Sequence, residues 1–163
     1  MLRTITIVVA AALWCSVAQA QQITSIAIVD YGIYTADVTD SHRDAQGLLQ
    51  NTSTNIRHAA TTRTIRAEKG LRFGFRFRLG GTPQGREVTL KKITIYPPGG
   101  VKPPTATAPL KSDTITLSPR IGETSYTAYR FDDPWEMVPG PWVVQLWHGQ
   151  RLLTEQKFTV VVK

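Results

Sequence analysis

Cysteine is almost absent from this chain. The only one, Cys15, lies within the first twenty residues of a 163-residue sequence. A disulfide framework is therefore excluded, and the remaining chain must be stabilised by its apolar core alone. About 140 residues are enough for this, because a domain of that size buries roughly two-thirds of its unfolded surface. Lipoprotein processing requires a small residue before the modified cysteine, and here that residue is Trp14, so lipid attachment is not expected.

Long apolar runs are also scarce, and the one that stands out is at the N-terminus, from Ile5 to Trp14. Arg3 precedes it, and Ala18-Gln19-Ala20 follows with the small-x-small pattern that signal peptidase reads. The run is shorter than the about 20 apolar residues of a membrane span. The sequence therefore predicts a signal peptide over residues 1–20 and a single domain over residues 21–163. We expect the mature chain to be periplasmic or secreted, with no transmembrane segment.

Acidic residues are outnumbered, 12 against 19 lysines and arginines, which gives a formal net charge of +7. Loss of Arg3 with the signal peptide lowers this by one, to +6. Such an excess favours attraction to anionic surfaces, including acidic glycans. An exported domain rarely meets nucleic acid, and no recognised nucleic-acid module is present, so we expect no nucleic-acid partner.

Helical periodicity is missing from the mature chain, which instead alternates with the period of two that is typical of strands. The clearest case is Leu71 to Leu79, where apolar residues at odd positions alternate with glycine and arginine. Residues 87–96 begin in the same way, but their apolar phase slips at Lys91-Lys92, which predicts a β-bulge. The turn-forming residues Gly80 to Gly85 lie between these strands and predict a hairpin.

A second hairpin is predicted near the C-terminus. Register favours a three-residue turn at residues 148–150, which pairs Leu146 with Leu152 and places Trp142 on the core face. Other strand candidates are residues 23–34, 55–58, 62–66, 114–117 and 125–131. Many short strands separated by turns predict an all-β fold, an immunoglobulin-like antiparallel β-sandwich.

Two segments lack a strand pattern. Residues 37–54 are polar and weakly patterned, so we expect a long irregular loop there. Residues 97–109 hold five prolines and Gly99-Gly100. Proline cannot donate a ladder hydrogen bond, so this segment is predicted to be an extended connection that crosses from one sheet to the other.

Several pieces of the chain together resemble one family. They are Tyr31 to Tyr34, Phe73 to Phe77, Pro97 to Gly100, the block Tyr129 to Trp142, and Phe158-Thr159-Val160 near the end. In this combination the chain resembles the bacterial DUF3859 family, and the resemblance covers nearly all of the mature chain. It implies a bacterial origin and a small β-rich domain. It implies no reaction and no catalytic residues.

Catalytic motifs are missing from the sequence as well. There is no Gly-x-Ser-x-Gly elbow and no glycine-rich phosphate loop. Three carboxylates between residues 132 and 136 could offer oxygen ligands to calcium, but their spacing differs from an EF-hand, and Asp before Pro134 is typical of a tight turn. We expect no enzyme activity, no metal and no cofactor. The alternative is a small secreted hydrolase or metal-dependent enzyme, whose candidate residues are Asp132, Asp133, Glu136, His42, His58 and His148.

The binding candidates are a cationic sheet face and two tryptophans. On the predicted hairpin, the arginines and the lysine pair would form one patch able to hold phosphate, sulfate or carboxylate groups; alternatively, the arginines pair with neighbouring acids. The tryptophans either offer a platform for a sugar or peptide or cover the edge of the core. The candidates are Arg72, Arg76, Arg78, Lys91, Lys92, Trp135 and Trp147. The function expected is a non-catalytic binding module of the cell envelope, with a protein, peptide or anionic glycan as partner.

Overall fold

The computed structural model describes residues 22–162, and the predicted signal peptide lies outside them. Over these residues the chain forms strands and one short 3-10 helix. In chain order the elements are β1 (Gln22–Arg43), β2 (Leu49–Ala60), β3 (Thr64–Arg66), β4 (Arg72–Thr82), β5 (Leu90–Ile95), β6 (Ser112–Leu117), β7 (Thr124–Arg130), the 3-10 helix (Pro134–Glu136), β8 (Gly140–His148) and β9 (Arg151–Val161).

The strands form two sheets. The first has the order β2-β1-β4-β7 and the second the order β3-β9-β8-β5-β6. Neighbouring strands are antiparallel, except that β3 runs parallel to β9. The two inner faces contribute to one apolar core. The predicted all-β sandwich is therefore confirmed, with one parallel pair added to it.

The core is built mainly by strand alternation. Phe73, Phe75, Phe77 and Leu79 of β4 are fully buried on the inner face, as the period of two predicts. Trp142 of β8 is also fully buried. Apolar side chains on one face of each sheet leave water when the faces pack, which is the main favourable contribution to folding.

The predicted hairpin between β4 and β5 is wrong. These strands belong to different sheets, so residues 83–89 connect one layer to the other instead of reversing within a layer. The predicted bulge at Lys91-Lys92 is also wrong, because the ladders of β5 continue without a register shift. The inner face of this segment reads Val88, Leu90, Lys92, Thr94 and Tyr96, all buried. Because the core face carries a lysine and a threonine at these positions, the apolar alternation of the sequence looks as if its phase had slipped.

Residues 35–57 form a projecting hairpin that we call the arm. Beyond Tyr34, β1 leaves β4 and pairs only with β2, up to the pair Arg43 and Leu49. The prediction of an irregular loop over residues 37–54 is therefore wrong. Most arm side chains are exposed or half-buried on both faces, so the segment has no apolar alternation to reveal its strands.

Two connections also differ from expectation. The proline-rich segment 97–109 joins β5 to β6, which are neighbours in one sheet, so it does not cross between sheets. The C-terminal hairpin forms, but Trp147 pairs with Leu152 and His148 with Arg151, with a register shift after Leu146. Leu152 is consequently 42% exposed, whereas Leu146 is fully buried.

Candidate functional site: a cleft between two open sheet edges

The two sheets each end in a strand with one free edge on the same side of the sandwich. Within the described chain, β7 pairs only with β4 and β6 pairs only with β5. A cleft of about 430 Å³ lies between these edges, and residues 48–53 of the arm form part of its wall. Its apolar lining includes Leu48, Ile115 and Leu117. Concave sites of this size are typical of ligand-binding pockets.

Polar side chains lie at the base of the cleft, where a sandwich normally holds apolar ones. Lys92 and Asp113 line it and are only 3% and 5% exposed, and the buried Tyr129 and Glu136 line it as well. The Lys92 ammonium donates to the carbonyl oxygen of Ala128 on β7, with an Nζ–O distance of 3.0 Å. This bond joins the second sheet to the first across the core.

Four buried polar atoms have no hydrogen bond of normal geometry among residues 22–162: the hydroxyls of Thr94, Tyr96 and Tyr129 and one carboxylate oxygen of Asp113. Tyr129 and Asp113 line the cleft, whereas Thr94 and Tyr96 are not among its lining residues, and Tyr96 interacts with both Tyr129 and Asp113. Burial raises the pKa of the Tyr96 and Tyr129 hydroxyls, and the charge of Asp113 raises both further. The two tyrosine rings are 6.0 Å apart between centroids. We call Lys92, Thr94, Tyr96, Asp113 and Tyr129 the polar cluster.

Burial has the opposite effect on the lysine of the polar cluster. It lowers the pKa of Lys92, and the negative charge of Asp113 opposes that shift without cancelling it. The ammonium and the carboxylate thus act on each other within the interior of the sandwich. Charged groups are buried in this way only at considerable cost, so they point to a role beyond packing.

The arm is held in place by the acidic segment after β7. Arg43 pairs with Asp133 at 2.9 Å, and the Asn51 amide donates to Asp132 at 2.9 Å. Asp132 also pairs with Arg130. These carboxylates, which the sequence offered as calcium ligands, therefore bind side chains of the chain itself and position the arm beside the cleft.

Glu136 stabilises a turn, and its carboxylate hydrogen bonds within residues 22–162 do not involve the arm. Its carboxylate oxygen accepts hydrogen bonds from the backbone N–H groups of Asp132 and Asp133, the latter at 3.0 Å. This fixes the turn that enters the 3-10 helix. Burial raises the pKa of Glu136, while the two backbone N–H groups act against that shift.

The variants Glu136→Ala and Glu136→Gln should separate the effect of the hydrogen bonds that the carboxylate accepts from the effect of burying its charge. The alanine variant leaves one buried and one partly buried N–H group without an acceptor and should lose about 1–3 kcal/mol of stability. The glutamine variant keeps an acceptor oxygen and should lose less than about 1 kcal/mol. Since the folded protein holds the Glu136 proton more tightly, this group favours folding at low pH, and that contribution is lost as pH rises. Urea unfolding across the acid range measures both; equal losses in the two variants would contradict this role.

The arginine face is largely occupied by its own partners. Arg72 is buried and donates to the Ser53 hydroxyl of the arm. Arg76 forms a bidentate pair with Asp30, whose pKa it lowers. Arg78 is exposed and donates to Thr124 at 3.2 Å. Arg76 therefore pairs with a neighbouring acid, as the second interpretation of this face expects.

The structure does not assemble the predicted cationic patch. Lys91 is exposed on the second sheet and Lys92 points into the core, whereas the arginines lie on the first sheet. Lys91 does stand directly opposite Trp147 in the register of β5 and β8. Trp147 is half-buried and donates to Gln145 at 2.9 Å. Trp135 is partly buried and packs against the core, which agrees with the alternative that the tryptophans cover the edge of the core.

The histidines lie in different parts of the described chain. His58 of β2 is bonded to the carbonyl oxygen of Tyr31 at 3.0 Å and packs edge-on against Tyr34. His42 is exposed on the arm, and His148 lies at the end of β8 in the other sheet. Among residues 22–162 no group of three or more His, Cys, Asp or Glu side chains could hold a metal ion.

Sequence reasoning missed Thr94, Tyr96, Asp113 and Tyr129, and it assigned Lys92 to the wrong surface. One signal was available: in an unbroken period of two, Lys92 and Thr94 share the face of Leu90. The position of Asp113 opposite Thr94 depends on the pairing of β5 with β6. No local pattern predicts that pairing.

The fold and the cleft define an immunoglobulin-like β-sandwich with one open side. The chain belongs to the DUF3859 family, a domain of unknown function, which it matches over residues 22–160. It is also similar to the solved structure of an immunoglobulin-like protein from Pseudomonas aeruginosa, at 25% sequence identity and a TM-score of 0.59. That similarity covers 88% of this chain and 99% of the other. None of the curated proteins matches it.

Both findings confirm expectations drawn from the residues. The family agrees with the resemblance carried by the block Tyr129 to Trp142, and the structural neighbour agrees with the immunoglobulin-like sandwich. Over the described residues, no helix has the length and apolar content that a membrane crossing requires.

Proposed function

We propose that this chain is an exported, non-catalytic binding module of the bacterial cell envelope whose ligand occupies the cleft between β6 and β7. The observation that carries the proposal is the cleft itself, about 430 Å³ in volume and based on buried polar side chains. Buried polar groups are normally hydrogen-bonded, and those that are not call for an explanation. Of the polar cluster, Lys92, Asp113 and Tyr129 line the cleft, and a ligand there would offer them further hydrogen-bond partners.

The arginine face is a weaker candidate for the binding surface. Of its three arginines, one is buried against the arm and one is paired with Asp30. An ion pair must be broken before such a guanidinium can bind an external anion. The acids after β7 are similarly engaged, since Asp132 and Asp133 hold the arm. This favours the cleft over the arginine face and over the acidic group.

Export is supported by the N-terminal sequence. Arg3, the apolar run to Trp14 and the Ala18-Gln19-Ala20 site have the order of a signal peptide. The only cysteine would be removed with it. A mature protein without cysteine gives a direct test, because one introduced cysteine becomes a unique chemical reporter.

The test compares Ile115→Cys, which places a thiol in the cleft, with Thr116→Cys, which places one on the exposed face of the same strand. Intact bacteria expressing the full chain are treated with a thiol reagent that crosses only the outer membrane. We expect the Thr116→Cys protein to be alkylated at the same rate in cells and after purification. The Ile115→Cys protein should react several-fold more slowly in cells, because a ligand covers the cleft.

Two outcomes would overturn the proposal. If the Thr116→Cys protein is not labelled in intact cells but is labelled after lysis, the chain is not exported. If the Ile115→Cys protein reacts equally fast in cells and after purification, nothing occupies the cleft.

A further inference from the structure

The polar cluster is the feature from which the class of ligand can be argued. Outside it, the one further buried hydroxyl without a hydrogen bond of normal geometry among residues 22–162 is that of Tyr126, which lies on the opposite face of β7 from Tyr129 and interacts with Arg72. Randomly placed packing faults would be scattered through the core. Here four of the five such atoms belong to the polar cluster.

The cleft carries charges of both signs. Lys92 carries a positive charge when protonated and Asp113 a negative one when ionised, and each acts on the other. Glu136, which also lines the cleft, has a raised pKa because it is buried. Arg130 and Arg72 line it too, but both are bonded to groups of the protein, Asp132 and Ser53. A strongly anionic or cationic ligand would meet an unfavourable charge on one side of this site.

The hydrogen-bonding capacity of the polar cluster is mixed. Of the members that line the cleft, the Tyr129 hydroxyl can donate and accept, Asp113 accepts, and Lys92 has two N–H groups beyond the one bound to Ala128. A ligand rich in hydroxyl groups matches this mixture, because every hydroxyl both donates and accepts. A purely apolar ligand would offer none of these groups a hydrogen-bond partner.

The walls of the cleft suit the remaining surface of such a ligand. The ring of Tyr129 and the apolar Leu48, Ile115 and Leu117 line it, and they can pack against C–H groups. A volume of about 430 Å³ lies within the range of small-molecule pockets.

We propose that the cleft binds a neutral, hydroxyl-rich carbohydrate, with Asp113, Lys92 and the Tyr129 hydroxyl as its hydrogen-bonding partners. The inference rests on the proposed function and adds the class of ligand to it. Asp113 accepts from sugar hydroxyls, Lys92 donates to a hydroxyl or ring oxygen, and Tyr129 does either. The arm covers the bound sugar on one side through Leu48 and its neighbours.

The experiment uses the Ile115→Cys protein purified from the bacteria and measures its rate of alkylation by dithiodipyridine. The neutral probes are glucose, N-acetylglucosamine and cellobiose; the charged probes are glucuronate and glucosamine. At least one neutral sugar should slow the reaction in a saturable way, with half-protection in the millimolar range. Both charged sugars should protect less. The Thr116→Cys protein should show no protection by any probe.

Two variants test the assigned groups in the Ile115→Cys background. Asp113→Asn removes a charged acceptor and should weaken protection about tenfold. Tyr129→Phe keeps the ring, removes only the hydroxyl and should weaken protection about threefold. Because the phenylalanine variant removes no packing atom, it remains informative if the Asp113 variant folds poorly. Unchanged half-protection in Tyr129→Phe would overturn the assignment.

The remaining outcomes separate the ligand class from the proposed function. If the cleft is protected in cells but no neutral sugar protects the purified protein, the carbohydrate inference is wrong and the binding function stands. The same holds if a charged sugar protects best, or if a peptide fraction from the cells protects and sugars do not. If the cleft is open both in cells and with every probe, both proposals fail.

Discussion

Replacing Phe73 with alanine is expected to lower the free energy of unfolding by about 3–5 kcal/mol, the usual cost of removing a fully buried aromatic ring. Phe73 is completely buried, and its ring lies within 6.0 Å, between centroids, of four others. These belong to Tyr129, Phe131, Trp142 and Phe158. The loss combines the transfer of the ring to water with the cavity left between the sheets. Guanidinium unfolding followed by tryptophan fluorescence measures it.

A matched control is Val29→Ala on β1, because Val29 is 49% exposed. Its loss should stay below about 0.5 kcal/mol, as is usual for surface positions. A similar loss in the two variants would show that the ring cluster is not the centre of the core. Other contacts between the two sheets would then have to provide most of the stability.

Replacing Lys92 alone and replacing it together with Asp113 are expected to change stability in opposite directions. Lys92→Met removes the ammonium that donates to the Ala128 carbonyl oxygen and acts on the Asp113 carboxylate, so we expect a loss of about 1–3 kcal/mol. The double variant Lys92→Met/Asp113→Leu removes both buried charges. It should be more stable than the wild type by about 1–4 kcal/mol, because apolar replacements avoid the desolvation cost.

The control for this pair is Lys91→Met. Lys91 is the neighbouring residue on the same strand, but it is exposed, so its replacement should change stability by less than about 0.5 kcal/mol. Thermal and urea unfolding compare the variants, and the cleft-labelling assay reports binding in each. If the double variant is less stable than the Lys92→Met variant, the polar cluster stabilises the fold. A stabilised double variant without binding would show that it serves the ligand.

Parts of the fold could be predicted because they depend on a strictly local rule. In β4 every second residue is large and apolar, and any structure that buries Phe75 also buries Phe73 and Phe77. Trp142 follows from the same rule on β8. Hairpins joined by short turns, such as β8 and β9, are equally local.

Other parts could not be predicted, because the local rule assumes that the core face is apolar. Lys92 and Thr94 break that assumption, so the pattern of β5 looked like a bulge. The strands of the arm could not be predicted for a different reason. A two-stranded projection has little buried surface, so its sequence shows no alternation of apolar and polar residues. Asp132 and Asp133 form a recognisable acidic group, but their partners Asn51 and Arg43 lie 81 and 90 residues earlier in the chain.

The residues themselves therefore dictated the kind of architecture, two sheets of alternating side chains without disulfide bonds, and the identity of the aromatic interior. Which strand neighbours which was settled only in three dimensions, where β4 and β5 part into different layers and β6 and β7 are left with open edges. The reason is that side-chain alternation acts along the chain, whereas strand order depends on contacts between residues far apart in sequence. The cleft belongs to that second category, because its walls come from the arm, β5, β6 and β7, and only the sheet topology brings these together.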